Sequence, residues 1–176
     1  MDRLEIKGHT ERVTHITLKI GNALCLPPDQ LEQLRWGADL HDVGKVVIPD
    51  RVLLKLGKLD LEEWQVMQNH AILGETMLSK LDFIPSIVLK IVRHHHERWN
   101  GSSYPEGLKQ DQIPLLAKVF SIADVLDASI SERPYKRAGT REEALSEIRR
   151  QAGFQFDPEL VEIFLECDTE HTTSAD

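Results

Sequence analysis

Cysteine is nearly missing from this chain. Cys25 and Cys167 are the only two, they lie far apart, and neither belongs to a CxxC pair. Disulfides are therefore not the staple of the fold, and a reducing, cytoplasmic setting is expected. Long apolar runs are also missing. The best candidate, around Ile84 to Val92, is interrupted and too short to span a bilayer, and the N-terminus has no signal-like apolar stretch. A soluble protein without membrane insertion is expected. Basic excess is lacking as well. The formal net charge of -8 argues against a general binder of nucleic-acid polymers, whose backbone affinity needs a basic face. Finally, no stretch alternates with period two and no internal repeat is visible, so a sheet and a repeat architecture are both excluded.

What is present suits a single compact domain. The chain has 176 residues, 41% hydrophobic and 28% charged, enough for a sizeable core. Apolar spacing predicts seven helices. The first covers residues 1 to 25 and stops at Pro27-Pro28. Asp29 is the expected N-cap of a second, which delivers His41 and Asp42 at its end. An irregular stretch with at most one helical turn follows. A third helix is opened by the capping-box pattern Asp60 to Glu63 and carries His70. A fourth runs from Pro85 to His94-His95-His96, a fifth starts at Pro114, and two shorter ones lie near 140–151 and 157–167. The expected fold is an all-α compact bundle. Residues 1–168 form its one domain and 169–176 a polar, flexible tail.

Chemistry concentrates at His41-Asp42-Val43-Gly44-Lys45, where an imidazole, a carboxylate and an ammonium fall within one turn of backbone. Further candidates sit on other helices. Glu5, His9, His41, Asp42, His70, His95, His96 and Asp124 form a ligand set too large for one ion. A mixed imidazole and carboxylate set suits two or three divalent first-row ions with Asp42 bridging a pair, and the lack of thiolates argues against a structural zinc site. Two ions roughly 3.5–4 Å apart can hold a bridging hydroxide and clamp a phosphodiester for in-line attack. Lys45 would neutralise charge on the phosphoryl oxygens. Basic residues also cluster at Arg133, Lys136 and Arg137.

Several ordered motifs resemble the HD-GYP family of the HD phosphohydrolase superfamily: His41 to Lys45, Ile48-Pro49-Asp50, His95 to Pro105, Ala123 to Ala128, Arg133-Pro134-Tyr135 and Phe156-Asp157-Pro158. The likeness covers about residues 5 to 165. It implies an HD-domain-like fold with a metal centre in the core. The implied activity is hydrolysis of cyclic di-GMP to pGpG and on to GMP, with two or three ions, iron or manganese. His9, His41, Asp42, His70, His95, His96 and Asp124 match the family's ligand positions, and Glu5 matches the extra carboxylate of three-metal members. Lys45, Arg133 and Lys136 match positions that contact substrate phosphates, with Lys45 and Asp42 carrying the catalytic roles. The resemblance also implies an N-terminal receiver or sensor domain outside this chain and is compatible with a homodimer.

One position departs from the family pattern. Ser103 stands where the naming glycine is expected, so this loop should be strained or reshaped. A second reading follows, in which the chain is a degenerate module that binds cyclic di-GMP or a signalling partner without turnover. His15, His94 and His171 fall outside the motifs and are read as exposed or satisfied in structure. Arg12 is read either as orienting a ligand carboxylate or as forming a helix-surface pair. Trp64 and Trp99 are read as core rather than as stacking platforms for a base.

Overall fold

The computed structural model describes residues 3–131 and 138–169, with side chains from residue 8 to residue 168. Nine α-helices lie among the described residues: α1 (Arg3–Ala23), α2 (Pro28–Leu40), α3 (Asp50–Leu53), α4 (Leu61–Gln68), α5 (His70–Leu78), α6 (Ser86–His94), α7 (Leu115–Ile130), α8 (Arg141–Arg150) and α9 (Pro158–Thr169). Two 3₁₀ segments, Val43–Val47 and Gln110–Gln112, join them. The only β feature among the described residues is an isolated bridge between Ala152 and Phe156. The all-α expectation holds.

Three local expectations are corrected. The helix expected through Asp60 to Met77 is two helices, because the regular helical bonding lapses at Asn69, although its backbone stays in the right-handed helical region (φ -64, ψ -14). The Nδ1 of His70 takes the Met67 carbonyl at 2.7 Å, an acceptor that an uninterrupted helix would reserve for its own backbone. Asp29 does not cap α2. Pro27 holds that place with no side-chain cap bond and Pro28 is the first helical residue, where a missing N–H costs nothing. Asp60, by contrast, caps α4 with the full reciprocal box to Glu63. Trp64 is 47% exposed, and is not core.

One apolar cluster joins α1, α2, α6, α7, α8 and α9. Val13 and Ile20 of α1, Leu34 and Ala38 of α2, Ile91 of α6, Phe120 and Leu126 of α7, Ile148 of α8 and Phe164 of α9 are all essentially inaccessible. Each of the larger side chains among them contributes about 1.5–3 kcal/mol on burial. Helix α7 packs against α1, α2, α6, α8 and α9, so it acts as the bundle's central post. Helices α2 and α6 approach closely at Gly37, where a Cβ would lie 2.5 Å from the Ile91 side chain. That approach brings the ends of α2 and α6, with His41 and His95, to the same side of α7.

Candidate metal centre

Three histidines of the predicted set occupy helix ends. His41 is the C-cap of α2 and His95 the C-cap of α6, while His70 follows the break at Asn69. Each ring turns back on a carbonyl three residues earlier: His41 Nδ1 on Ala38 O at 2.7 Å, His70 Nδ1 on Met67 O at 2.7 Å, His95 Nδ1 on Val92 O at 2.8 Å. Terminal carbonyls lack helical partners, so they bind the Nδ1–H and leave each Nε2 lone pair free to point into the protein. His9, from α1, reaches the same state through a side chain, donating Nδ1–H to Asp127 Oδ2 at 2.7 Å.

The free atoms converge in two groups. His70, His95 and His96 bring ligand atoms within 4.8 Å of one another, and His9, His41 and Asp124 do the same. Asp42 stands between them. Its Oδ2 lies 3.3 Å from His41 Nε2 and its Oδ1 3.5 Å from His70 Nε2. His9 Nε2 faces Asp124 Oδ1 at 3.6 Å. The rings of His41 and His95 meet edge to face at 5.4 Å, so the two groups adjoin.

Electrostatics put three of the imidazoles and the Asp42 carboxyl in the state that ligation needs. Burial, with His96 and His41 nearby, holds His95 well below the usual imidazole value. Burial and His70 push His96 to about 3, and burial also lowers His70. These rings are neutral. Burial opposes charge on Asp42, but His41 and Lys45 outweigh it and keep that carboxyl well below the usual carboxylate range. Burial likewise opposes charge on His41, yet Asp42 and Asp124 raise it.

The donor set fits divalent cations. His70 Nε2 and His95 Nε2 are 3.3 Å apart. With both Nδ1 protons committed to carbonyls, two lone pairs face each other, and a shared cation relieves that repulsion. Imidazoles with carboxylates, and no thiolate, suit divalent first-row ions.

Lys45 sits beside the pair of groups, its Nζ on Asp42 Oδ2 at 2.5 Å. Glu5, Arg133 and Lys136 lie outside the residues whose side chains are described. His15 is exposed, as expected. His94 is neither exposed nor satisfied: it is 8% exposed and its Nδ1 has no hydrogen-bond partner, with Glu97 and Glu106 oxygens 3.9 and 3.8 Å away.

Two residues within the quoted motifs, Asp127 and Glu97, have contacts that the motifs alone do not reveal. Asp127, fully buried, accepts from His9 and from Arg12 Nε at 2.5 Å and Nη2 at 3.1 Å, so Arg12 acts on the carboxylate that aims a candidate ligand. The signal was available in the matching three-residue spacings His9/Arg12 and Asp124/Asp127. Glu97, also buried, accepts from the backbone N–H of Glu106 at 2.8 Å and of Leu108 at 3.1 Å, tying down the loop that follows the histidines.

That loop and α4 flank a cleft of about 580 Å³ whose lining includes His95, His96 and Asp124 together with Trp64, Gln68, Ser103 and Tyr104. Ser103 has no positive φ, since among the described non-glycine residues only Cys25 and Gln110 do. The strain expected from a serine here is absent.

An α-bundle carrying a His-Asp pair at one helix end, with histidines from neighbouring helices around it, defines the HD class of domain. The chain belongs to the HD domain family, whose profile matches residues 2–160, and within it to the HD-GYP type. It is 40% identical over 170 residues to the cyclic di-GMP phosphodiesterase of Thermotoga maritima, covering 96% of this chain and 46% of that protein. It is 38% identical over 163 residues to the 3′3′-cGAMP-specific phosphodiesterase 2 of Vibrio cholerae, covering 92% of this chain and 31% of that protein. Among solved structures, a cyclic GMP-AMP specific phosphodiesterase of V. cholerae superposes with a TM-score of 0.72 at 26% identity, covering 92% of this chain and 44% of that one. The chain thus spans less than half the length of these relatives. Among the described residues no helix is long and apolar enough to cross a membrane.

Proposed function

We propose that this domain hydrolyses a cyclic dinucleotide, with cyclic di-GMP as substrate and pGpG, then GMP, as products. The observation that carries the reading is the pair of ligand groups joined by Asp42 at the wall of an open cleft. His70, His95 and His96 would hold one ion, His9, His41 and Asp124 a second, and Asp42 would contact both. When bound there, iron or manganese supplies Lewis acidity and makes a water nucleophile available near neutral pH.

The chain's own residues do the rest. The carbonyls of Ala38, Met67 and Val92 fix three imidazoles in the Nδ1–H tautomer. Asp127 does the same for His9. Lys45, standing beside Asp42, neutralises negative charge on the phosphoryl oxygens of a diester placed across the two groups. Arg133 and Lys136 are proposed to hold the substrate's second phosphate, and Glu5 to add a carboxylate for a third ion. The names of the relatives favour a second substrate, 3′3′-cGAMP, handled by the same centre.

The test is product identification from cyclic di-GMP and 3′3′-cGAMP by protein loaded anaerobically with iron or manganese, beside His70→Ala, Asp124→Ala and Lys45→Ala. The two ligand variants should lose metal and turnover together. Lys45→Ala should keep its metal and lose turnover at least tenfold, as expected when a charge-assisted contact worth about 1.5–3 kcal/mol is removed. Binding of either nucleotide by the metal-loaded protein with no linear product would favour the degenerate binder.

A further inference from the structure

A helix that presents an indole to solvent from the wall of a cleft carries an unmet apolar surface. Trp64 does so: its side chain is 47% exposed, and it lines the same cleft as His95, His96 and Asp124. The capping box between Asp60 and Glu63 and the ion pair of Lys55 with Glu63 hold the first turn of α4, from which the indole is presented.

Rings run outward from the candidate centre in order. The Tyr104 ring lies 4.9 Å from the His96 ring with a 36° tilt, and the Trp64 ring meets Tyr104 edge to face at 6.3 Å and 84°. Gln68, one helical turn beyond Trp64, lines the same space. Its amide can both donate and accept. In a nucleotide the planar base lies one sugar away from its phosphate, and these rings stand one and two ring contacts away from the candidate ligand His96. Base stacking on aromatic side chains tolerates any base, while an amide at the base's edge discriminates among them.

We infer that Trp64 is the stacking platform for a nucleobase of the substrate, with Tyr104 flanking it edge to face and Gln68 reading that base's edge. This rests on the phosphodiesterase reading and adds a specificity subsite to it. Tyr104 is tied to His96 by contact, so Trp64 and Gln68 are the positions that test the subsite without disturbing a candidate ligand.

The experiment compares Trp64→Ala, Trp64→Phe and Gln68→Ala in the metal-loaded protein, with metal content measured in each. Trp64→Ala should raise KM for cyclic di-GMP on the order of tenfold with kcat within about threefold, because stacking holds ground state and transition state alike. Trp64→Phe should recover most of that loss. Gln68→Ala should change the ratio of kcat/KM between cyclic di-GMP and cyclic di-AMP. An unchanged KM in Trp64→Ala, a fall in kcat alone, or equal impairment in Trp64→Phe overturns the platform. If the wild type cleaves no cyclic dinucleotide, the phosphodiesterase reading falls instead, and calorimetry with cyclic di-GMP on the same proteins decides the platform. Tighter binding by wild type and Trp64→Phe than by Trp64→Ala upholds it, and equal or absent binding overturns it.

Discussion

His9 donates its Nδ1–H to Asp127 at 2.7 Å, and Arg12, one turn further along α1, closes its guanidinium on both oxygens of the same carboxylate. Arg12 also reaches Ser131 Oγ at 2.9 Å, so one buried carboxylate joins α1 to the end of α7 and aims the imidazole whose Nε2 faces Asp124. A group that orients a ligand commonly matters about 10–100-fold to metal affinity.

Asp127→Asn keeps the size and loses the charge. Metal affinity should fall by about that factor of 10–100 while the fold survives, as read by metal titration and circular dichroism. Equal affinity would make the contact purely structural. Acid unfolding of chelator-treated protein gives a second readout. Burial disfavours the charge on Asp127, but His9 and Arg12 dominate and bring its pKa from 3.8 to about 2. A depressed carboxyl stabilises the fold above its unfolded value and loses that contribution as pH falls through its folded value. Wild type should therefore lose stability between about pH 4 and 2 in a way that Asp127→Asn does not.

Gly44 sits where two segments touch. A Cβ there would lie 2.0 Å from the His70 carbonyl oxygen and 2.6 Å from the Gly74 nitrogen, both backbone atoms that no rotamer change can move. Gly44→Ala should push the 3₁₀ segment off α5, separate Asp42 from His70, and cost at least the upper end of the roughly 1–3 kcal/mol typical of overpacking. Urea midpoint and metal stoichiometry should fall together. A stable, fully loaded Gly44→Ala would show that the close approach does not hold the centre together.

The positions of His41, Asp42, His95, His96 and Asp124 were legible because each sits in a motif or at the end of an apolar helical run, and periodicity fixes where such runs end, whereas His70 was expected inside the third helix. What fixes their chemistry was less legible. The Nδ1 contacts of His41, His70 and His95 go to backbone carbonyls, and a carbonyl leaves no trace in residue identity. The break at Asn69 was missed because the apolar spacing continues through it, while the His70 side chain takes a carbonyl there. Trp64 was read as core from its chemistry alone, although a tryptophan on a short helix beside a loop is as well placed to line a cleft. Asp127 and Arg12 could have been paired from spacing, had the two helices been known to face each other.

Ser103 provides the last test, because the family likeness expects glycine there and the backbone does not require one. The positive φ values of this loop belong to Gly101 (75°) and Gly107 (66°), and a Cβ on Gly101 would fall 2.3 Å from the Lys109 side chain and 3.0 Å from the Gly107 carbonyl oxygen. Those two positions carry the turn. Ser103→Gly should therefore leave metal content intact and cost only about 0.4–1 kcal/mol, through the greater freedom of glycine in the unfolded chain. Turnover of cyclic di-GMP should shift less than on loss of any ligand. Gly101→Ala should do more, since a residue forced to positive φ costs about 1–3 kcal/mol and the loop that carries Tyr104 would move. Thermal melts and kcat/KM on the three proteins decide the matter. If Ser103→Gly switches on turnover in a wild type that only binds, the serine itself blocks catalysis and the degenerate reading is correct.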